Sequence, residues 1–395
     1  MNKAILDICV QEYIQKNLHS DVVGISLSKS PFPDVSPKEL AQQIGGKKRC
    51  EKKLPSWYNS ELIYYPEKLA LEQCSSELTA IYKSKLLLGN QVIDLTGGFG
   101  VDAGIFSTKV EYVTHCELNQ ELSEISHHNS KLLGFAVKHV HTDGLEYLKA
   151  SKDTYDTIYI DPSRRVSSRK VFMLKDCEPD VISVMEFLLE KSDRVIIKTA
   201  PLLDLQSTIK ELGNVTAVHI ASVKNECKEV LYIIDQGTSG TDPMVTCALL
   251  VSGSEITYTF RFSEEKDFRI NQYSDPLGFI YEPDVALLKA GCFKLITRDF
   301  NVIKLHQHTH LYTSDKLIES FPGRIFKLLS ARPYSEFLKN QPFKKANLIC
   351  RNFPLTPQVL GKKLKITDGG SEYLIFCTSN RKELMVLHCE RLPKN

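Results

Sequence analysis

Residues 91–102 read QVIDLTGGFGVD, a short apolar run that ends in Asp94 and breaks into a turn crowded with Gly97, Gly98 and Gly100. A turn this rich in glycine follows a buried strand, lets backbone approach a ligand closely, and delivers its amides to the start of a helix. The middle of the chain is thereby restricted to a strand–loop–helix unit of α/β type. Two later signals narrow the ligand. Glu117 closes the apolar segment VEYVTHCEL, at the distance where an acid accepts from both hydroxyls of a ribose. Asp161-Pro162 closes another, within IDPSRR at 160–165. Gly98, Gly100 and Ala103 also satisfy the G-x-G-x-x-G/A dinucleotide pattern, and Glu117 suits either cofactor. The Asp-Pro element favours S-adenosylmethionine.

Candidate strands at 91–95, 110–116, 137–141, 155–160, 194–199, 215–221 and 229–234 are mostly separated by helix-length segments such as 119–133 and 178–191. That alternation predicts a doubly wound α/β sheet. The last two strands are joined only by ASVKNECK, too short for a parallel crossover, so they are expected to pair antiparallel. A parallel sheet closed by one antiparallel hairpin is the class I methyltransferase arrangement.

Helical spacing runs over 1–45, interrupted by PFPDVSP, and again over 67–88. Beyond the turn-rich QGTSGTD at 236–242 come mixed α and β segments, including a helix opened at Pro283-Asp284 and closed by Gly291. The expected domains are a helical 1–85, a cofactor-binding 86–238 and an α+β region 239–395. A chain of 395 residues exceeds one ordinary core. Its net charge of +2 excludes a global polycation, so any nucleic acid must be held by local patches. No apolar run reaches the length of a membrane span, and MNKAILDICVQEY lacks the apolar core of a signal peptide. Eleven cysteines, without CxxC or regular spacing, read as reduced thiols of a cytoplasmic protein with no disulfide-linked partner.

The residues expected at the cofactor are Asp94, Thr96, Gly97, Gly98, Phe99, Gly100 and Asp102, with Glu117 at the ribose. Asp94 would accept from an ammonium group. Asp143, in HVHTDGLEYL, either accepts from the adenine amino group or caps a helix, and the two roles are compatible. Catalysis is expected at Asp161, Pro162, Arg164 and Arg165, where a carboxylate orients an amine and a guanidinium stacks a base or clamps a phosphate. The second proline and aromatic of a D/N-P-P-Y motif are missing. Covalent uracil-C5 chemistry is disfavoured, because IIKTAPLLD after the fifth strand has no cysteine nucleophile. Lys198 and NECKE at 225–229 fall at strand ends on the same edge, lining a pocket or serving structure.

LHQHTH puts His306, His308 and His310 on one side of a strand, but no carboxylate or thiol is close. A half-exposed strand or loop is expected there, and no metal site. Basic runs lie at Lys47–Lys53, Arg164–Lys170 and Lys362–Lys365. Trp57, Tyr58, Tyr64 and Tyr65 accompany the first, a combination that suits single-stranded nucleic acid.

KLPSWY at 53–58, LEQCSSELTAIYK at 71–83, DLTGGFGVD at 94–102, IDPSRR at 160–165, DCEPDV at 176–181, NECKE at 225–229 and YEPDVALLKAG at 281–291 carry a family likeness. In that order they resemble bacterial class I S-adenosylmethionine-dependent methyltransferases with a C-terminal THUMP-like domain, common in Bacteroidetes. The family commonly has Asp-Pro-Ala-Arg-Arg where this chain has Asp161-Pro-Ser-Arg-Arg165. The resemblance implies a methyltransferase fold with a helical segment before it and ferredoxin-like and THUMP-like portions after it. It also implies RNA, chiefly tRNA, as the partner. The expectation is therefore a methyltransferase acting on a base nitrogen of RNA. The alternatives are an NAD-dependent oxidoreductase using the glycine loop, or a non-catalytic RNA-binding protein on the same scaffold.

Overall fold

Caps and prolines set the helices that precede the glycine loop: α1 (Ile8–Lys16), α2 (Val22–Leu27), α3 (Pro37–Lys53), α4 (Pro55–Asn59), α5 (Lys68–Gln73) and α6 (Glu77–Ser84). At α3, Ser36 accepts from the Glu39 amide while the Glu39 carboxylate accepts from the Ser36 amide at 2.7 Å, with Pro37 as the first helical residue. The helix expected over 67–88 is two helices. Ser76 caps a fresh start at α6 and separates it from α5. Leu40, Ile44, Trp57, Tyr64 and Tyr65 form one core with Phe99, Val101, Ile105 and Ile125, so this segment packs directly on the glycine loop and its helix.

Trp57, Tyr64 and Tyr65 are each only 2% exposed, which corrects the expectation that they stack bases beside Lys47–Lys53. The apolar core claims these rings, and the Tyr65 hydroxyl donates to the Trp57 carbonyl. Lys53 is likewise occupied, donating to the carbonyls of Leu71 and Glu72.

The computed structural model describes residues 1–164, 173–251 and 253–393 and divides into two units. The first is Met1–Ala217 with Val230–Thr241; the second is Val218–Glu229 with Asp242–Asn395. The central strands are β1 (Gln91–Asp94), β2 (Tyr112–Glu117), β3 (Val137–His141), β4 (Tyr155–Ile160), β5 (Ser192–Thr199), β6 (Ala217–Val223) and β7 (Glu226–Asp235). Their order is β6-β7-β5-β4-β1-β2-β3. β1 to β5 pair in parallel, and β7 runs antiparallel to β5. Between them lie α7 (Val101–Phe106), α8 (Gln120–Leu132), α9 (Gly144–Ala150), α10 (Met185–Lys191) and α11 (Leu205–Leu212). The helix expected over 178–191 keeps only its last two turns, because Cys177–Glu178 pairs with Ser163–Arg164 and Pro179 follows. The central strands are nearly dry: Ile93, Ile158, Val195, Ile196 and Ile197 are fully buried, as parallel strands covered on both faces must be. β6 reaches β7 through Lys224 and Asn225, both at positive φ (53° and 60°), the geometry of a tight hairpin turn.

In the second unit β8 (Met244–Val251) and β9 (Ser254–Arg261) form a hairpin, in the order β9-β8-β6. A seven-stranded sheet follows, built from β10 (Phe279–Pro283), β11 (Ile303–Lys304), β12 (Tyr312–Ser314), β13 (Gly323–Pro333), β14 (Asn347–Arg351), β15 (Glu372–Thr378) and β16 (Leu384–Arg391). Its order is β11-β12-β10-β13-β16-β15-β14. Asp284 caps the helix Val285–Ala290 and Gly291 ends it, as its sequence predicts. All eleven cysteines are free thiols, and no helix among the described residues is long and apolar enough to cross a membrane.

Trp57 is the single tryptophan and lies 6.4 Å from the Phe99 ring, centroid to centroid. Trp57→Ala is expected to cost about 3–5 kcal/mol of stability. An unchanged urea midpoint by circular dichroism would show that this core does not hold the first unit.

Candidate cofactor and acceptor site

The loop after β1 is fixed from below and open above. Gly97 donates its amide to the Cys116 carbonyl at 2.8 Å. A Cβ at Gly97 would lie 2.2 Å from Nε2 of His115, whose ring is fully buried beneath the loop. Burial pushes His115 down to about 4, so the ring beneath the loop stays uncharged at neutral pH. Gly98 sits at φ +56° with only the Thr96 carbonyl, 4.0 Å away, near its missing side chain. The space over Gly98 is therefore open to a ligand. Gly100, also left-handed, is the N-cap of α7. Phe99 turns the other way, 2% exposed in the core, and contributes packing to the loop.

Glu117 ends β2 beside this opening. One carboxylate oxygen accepts from the Gly98 amide and the other from the Asn119 amide, each at 2.7 Å. The acid thus pins the loop while each oxygen keeps a second lone pair for a hydroxyl. Asp143 caps α9 through Oδ1, at 2.9 and 3.0 Å from the Leu145 and Glu146 amides, and is exposed at the end of β3.

Three carboxylates crowd the ends of β1 and β4. Asp94 is 1% exposed, with Oδ1 accepting from the Thr96 amide at 3.0 Å. Burial, and then the carboxylates of Asp102 and Asp161, push Asp94 well above the ordinary range. Asp102, in the first turn of α7, has the opposite fate. Burial alone would raise it, but the Lys83 ammonium, 2.9 Å away, and the Ser75 hydroxyl, at 2.8 Å, hold it below the usual value. The Tyr159 hydroxyl of β4 donates to the same carboxylate at 3.0 Å. Asp161 donates its amide to the Thr96 hydroxyl at 2.7 Å, and its carboxylate pairs with Lys198 at the end of β5. Pro162 is buried beside it. Only the backbone of Arg164 is described, and Arg165 and the rest of the basic run to Lys170 lie outside the described residues.

Sequence reasoning left Lys198 open between pocket and scaffold, and the structure places it on Asp161. Asn225 is elsewhere, in the hairpin turn, accepting from the Val285 amide. Ser75 and Lys83 were missed. The available signal was helical spacing: Lys83 shares a face with Thr79 and Ala80, so a helix that buries those two buries the lysine also.

An open space over Gly98, an acid at the end of β2 and a buried carboxylate of raised pKa fit an adenosyl cofactor that carries an ammonium and a sulfonium. Fold and loop together define a class I S-adenosylmethionine-dependent methyltransferase. A putative methyltransferase from Porphyromonas gingivalis W83, known from its crystal structure, is 31% identical, matches with a TM-score of 0.87 and covers 99% of both chains. The present chain belongs to that methyltransferase family. Residues 279–322 match a ferredoxin-like domain family and residues 323–391 a THUMP domain-like family. An uncharacterized S-adenosylmethionine-dependent methyltransferase of Mycobacterium tuberculosis is 22% identical over 303 residues, 75% of this chain and 80% of its own. An uncharacterized RNA methyltransferase of Mycoplasma mobile is 33% identical over 79 residues, 20% of this chain and 22% of its own.

Two outcomes follow from the charges. Asp94 holds a proton in the free protein at pH values where an ordinary carboxylate is ionised, and a cofactor ammonium placed against it would stabilise its charged form. Binding then releases a proton, and affinity rises with pH until Asp94 is ionised in the free protein. Calorimetry in buffers of different ionisation enthalpy reads this release directly; its persistence in Asp94→Asn would assign the proton to another group. Separately, Lys83→Met strands Asp102 without its counter-ion and is expected to cost about 3–5 kcal/mol, largely recovered in Lys83→Met/Asp102→Asn. Equal losses in the single and double variants, read from urea unfolding, would deny the coupling.

Proposed function

We propose that this protein transfers the methyl group of S-adenosylmethionine to a nitrogen of an RNA base, with tRNA the first candidate. The observation that carries the reading is Asp161, a carboxylate at the end of β4, aligned through its amide by Thr96 and through its side chain by Lys198. When bound, the cofactor supplies a methyl group already activated on sulfur. A base nitrogen is a weak nucleophile, so the protein's task is alignment and exclusion of water. Asp161 accepts a hydrogen bond from the acceptor N–H and turns the nitrogen lone pair toward the methyl carbon. As the N–C bond forms and the C–S bond breaks, the electron pair remains on sulfur. The nitrogen's proton passes to the Asp161 carboxylate and on to water. Lys198 keeps Asp161 in place and compensates its charge before the acceptor arrives. RNA as acceptor is supported by the THUMP domain-like match at 323–391 and by the short likeness to the Mycoplasma RNA methyltransferase.

Asp161→Ala is expected to keep cofactor affinity within a few-fold and to lose about a hundredfold or more in turnover. Gly98→Arg is expected to lose cofactor binding, because the side chain enters the open space at a strained φ. Calorimetry and transfer of radiolabelled methyl to RNA separate the two effects. Turnover by Asp161→Ala near that of the wild type would remove the carboxylate from the reaction.

A further inference from the structure

The loop Leu305–Leu311 in the second unit takes no part in the chemistry above, yet it is firmly built. Leu305 and Leu311, 1% and 0% exposed, join Ile280, Phe326, Ile349 and Ile375 in one apolar cluster. The Leu305 amide donates to the Leu311 carbonyl at 3.0 Å and closes the loop on itself. Between these ends, Thr309 donates its hydroxyl to the Thr378 carbonyl at the end of β15 (2.7 Å). Asn352, just after β14, donates its amide nitrogen to Thr309 Oγ1 at 3.1 Å. The same nitrogen lies 3.3 Å from His306 Nδ1, which also accepts the His308 amide at 3.1 Å. With Nδ1 occupied as an acceptor, neutral His306 carries its proton on Nε2 and presents a donor. That arrangement disfavours a metal ligand and favours an anion.

The surroundings agree. The His306 and His308 rings lie 5.6 Å apart. Lys382 stands in the exposed turn after β15, and Arg351 ends β14. The permanent charges acting on His306 are those of Lys304 and Lys382, and on His310 those of Lys304 and Arg351; none is an anion. Burial, followed by those cations, pushes His310 down to about 4. Among the described residues, buried His310 Nδ1 and Arg351 Nε have no hydrogen-bond partner. The nearby acids are largely committed: Glu265, which faces Lys304, to the amides of Phe293, Lys294 and Leu295, Glu282 to Arg324 and Arg351, and Asp275 to Arg381, leaving Glu383 in the turn that carries Lys382. Donors and cations converge here in excess of acceptors. A phosphodiester supplies what is missing, one negative charge spread over oxygens that only accept. The run Lys362–Lys365 differs: it ends the helix Pro357–Leu364, where cations complement the terminal carbonyls.

We propose that the loop Leu305–Leu311, with Arg351, Asn352 and Lys382, is a phosphodiester-binding surface that holds the backbone of the RNA substrate. This rests on the reading of RNA as the acceptor. The test measures binding of labelled total tRNA, and of a labelled single-stranded RNA oligonucleotide, to the full-length protein across a salt series. His306→Gln/His308→Gln/Lys382→Glu is expected to bind about tenfold more weakly with a shallower salt dependence, since fewer counterions are released. Its cofactor affinity by calorimetry should stay that of the wild type. His308→Ala/Lys382→Ala, confined to exposed side chains, should show a smaller loss of the same kind and covers the case in which the triple variant misfolds. Lys362→Glu/Lys363→Glu/Lys365→Glu is expected to bind nearly as the wild type does. Wild-type affinity and salt slope in the first two variants, or a loss with unchanged slope, would overturn the surface and leave the RNA reading standing. A wild-type protein that binds neither RNA at low salt would overturn both.

Discussion

The ion pair between Lys83 and Asp102 is the constraint on which the site depends. Asp94, Asp102 and Asp161 approach one another at the ends of two neighbouring parallel strands, one of them fully enclosed. Three ionised carboxylates in such surroundings would repel strongly, and one of them would stay protonated. Lys83, fully buried, neutralises Asp102, while Lys198 neutralises Asp161. Asp94 has no ion pair of its own among the described residues, and on the proposed reading it is the carboxylate that accepts a cationic ligand. The pair also ties α6 to the first turn of α7, so the helical segment before residue 90 is part of the cofactor site's foundation.

Above this foundation the glycine loop acts mainly through what it lacks. At Gly97 the absent side chain leaves room for the neutral ring of His115; at Gly98 it leaves room for a ligand. Glu117 fastens the same loop from the end of β2. If Glu117 also accepts from the cofactor ribose, as proposed, one carboxylate serves both the shape of the loop and the ligand.

Much of this was legible in the sequence because parallel strands put their C-terminal ends on one edge. Once β1, β2 and β4 were recognised by their apolar runs, Asp94, Glu117 and Asp161 had to fall on that edge. The antiparallel β7 was legible from the shortness of ASVKNECK. What spacing could not give were partnerships across the chain. Lys83 meets Asp102 through packing of α6 on α7, and Lys198 meets Asp161 through the neighbouring strands β4 and β5. Local composition also misled: the aromatic residues beside Lys47–Lys53 resemble a base-stacking platform until the core is seen to enclose Trp57, Tyr64 and Tyr65. For LHQHTH the sequence left strand and loop open; the structure makes it a loop, and the leucines at its two ends together with Asn352, just after β14, decide how its histidines are held.

The most direct measurement is mass spectrometry of nucleosides from the RNA of a strain lacking this gene, compared with its parent. Loss of one base-methylated nucleoside, restored by the intact gene and not by the Asp161→Ala form, is the predicted result. Identical nucleoside profiles in the two strains would contradict methyl transfer to an RNA base.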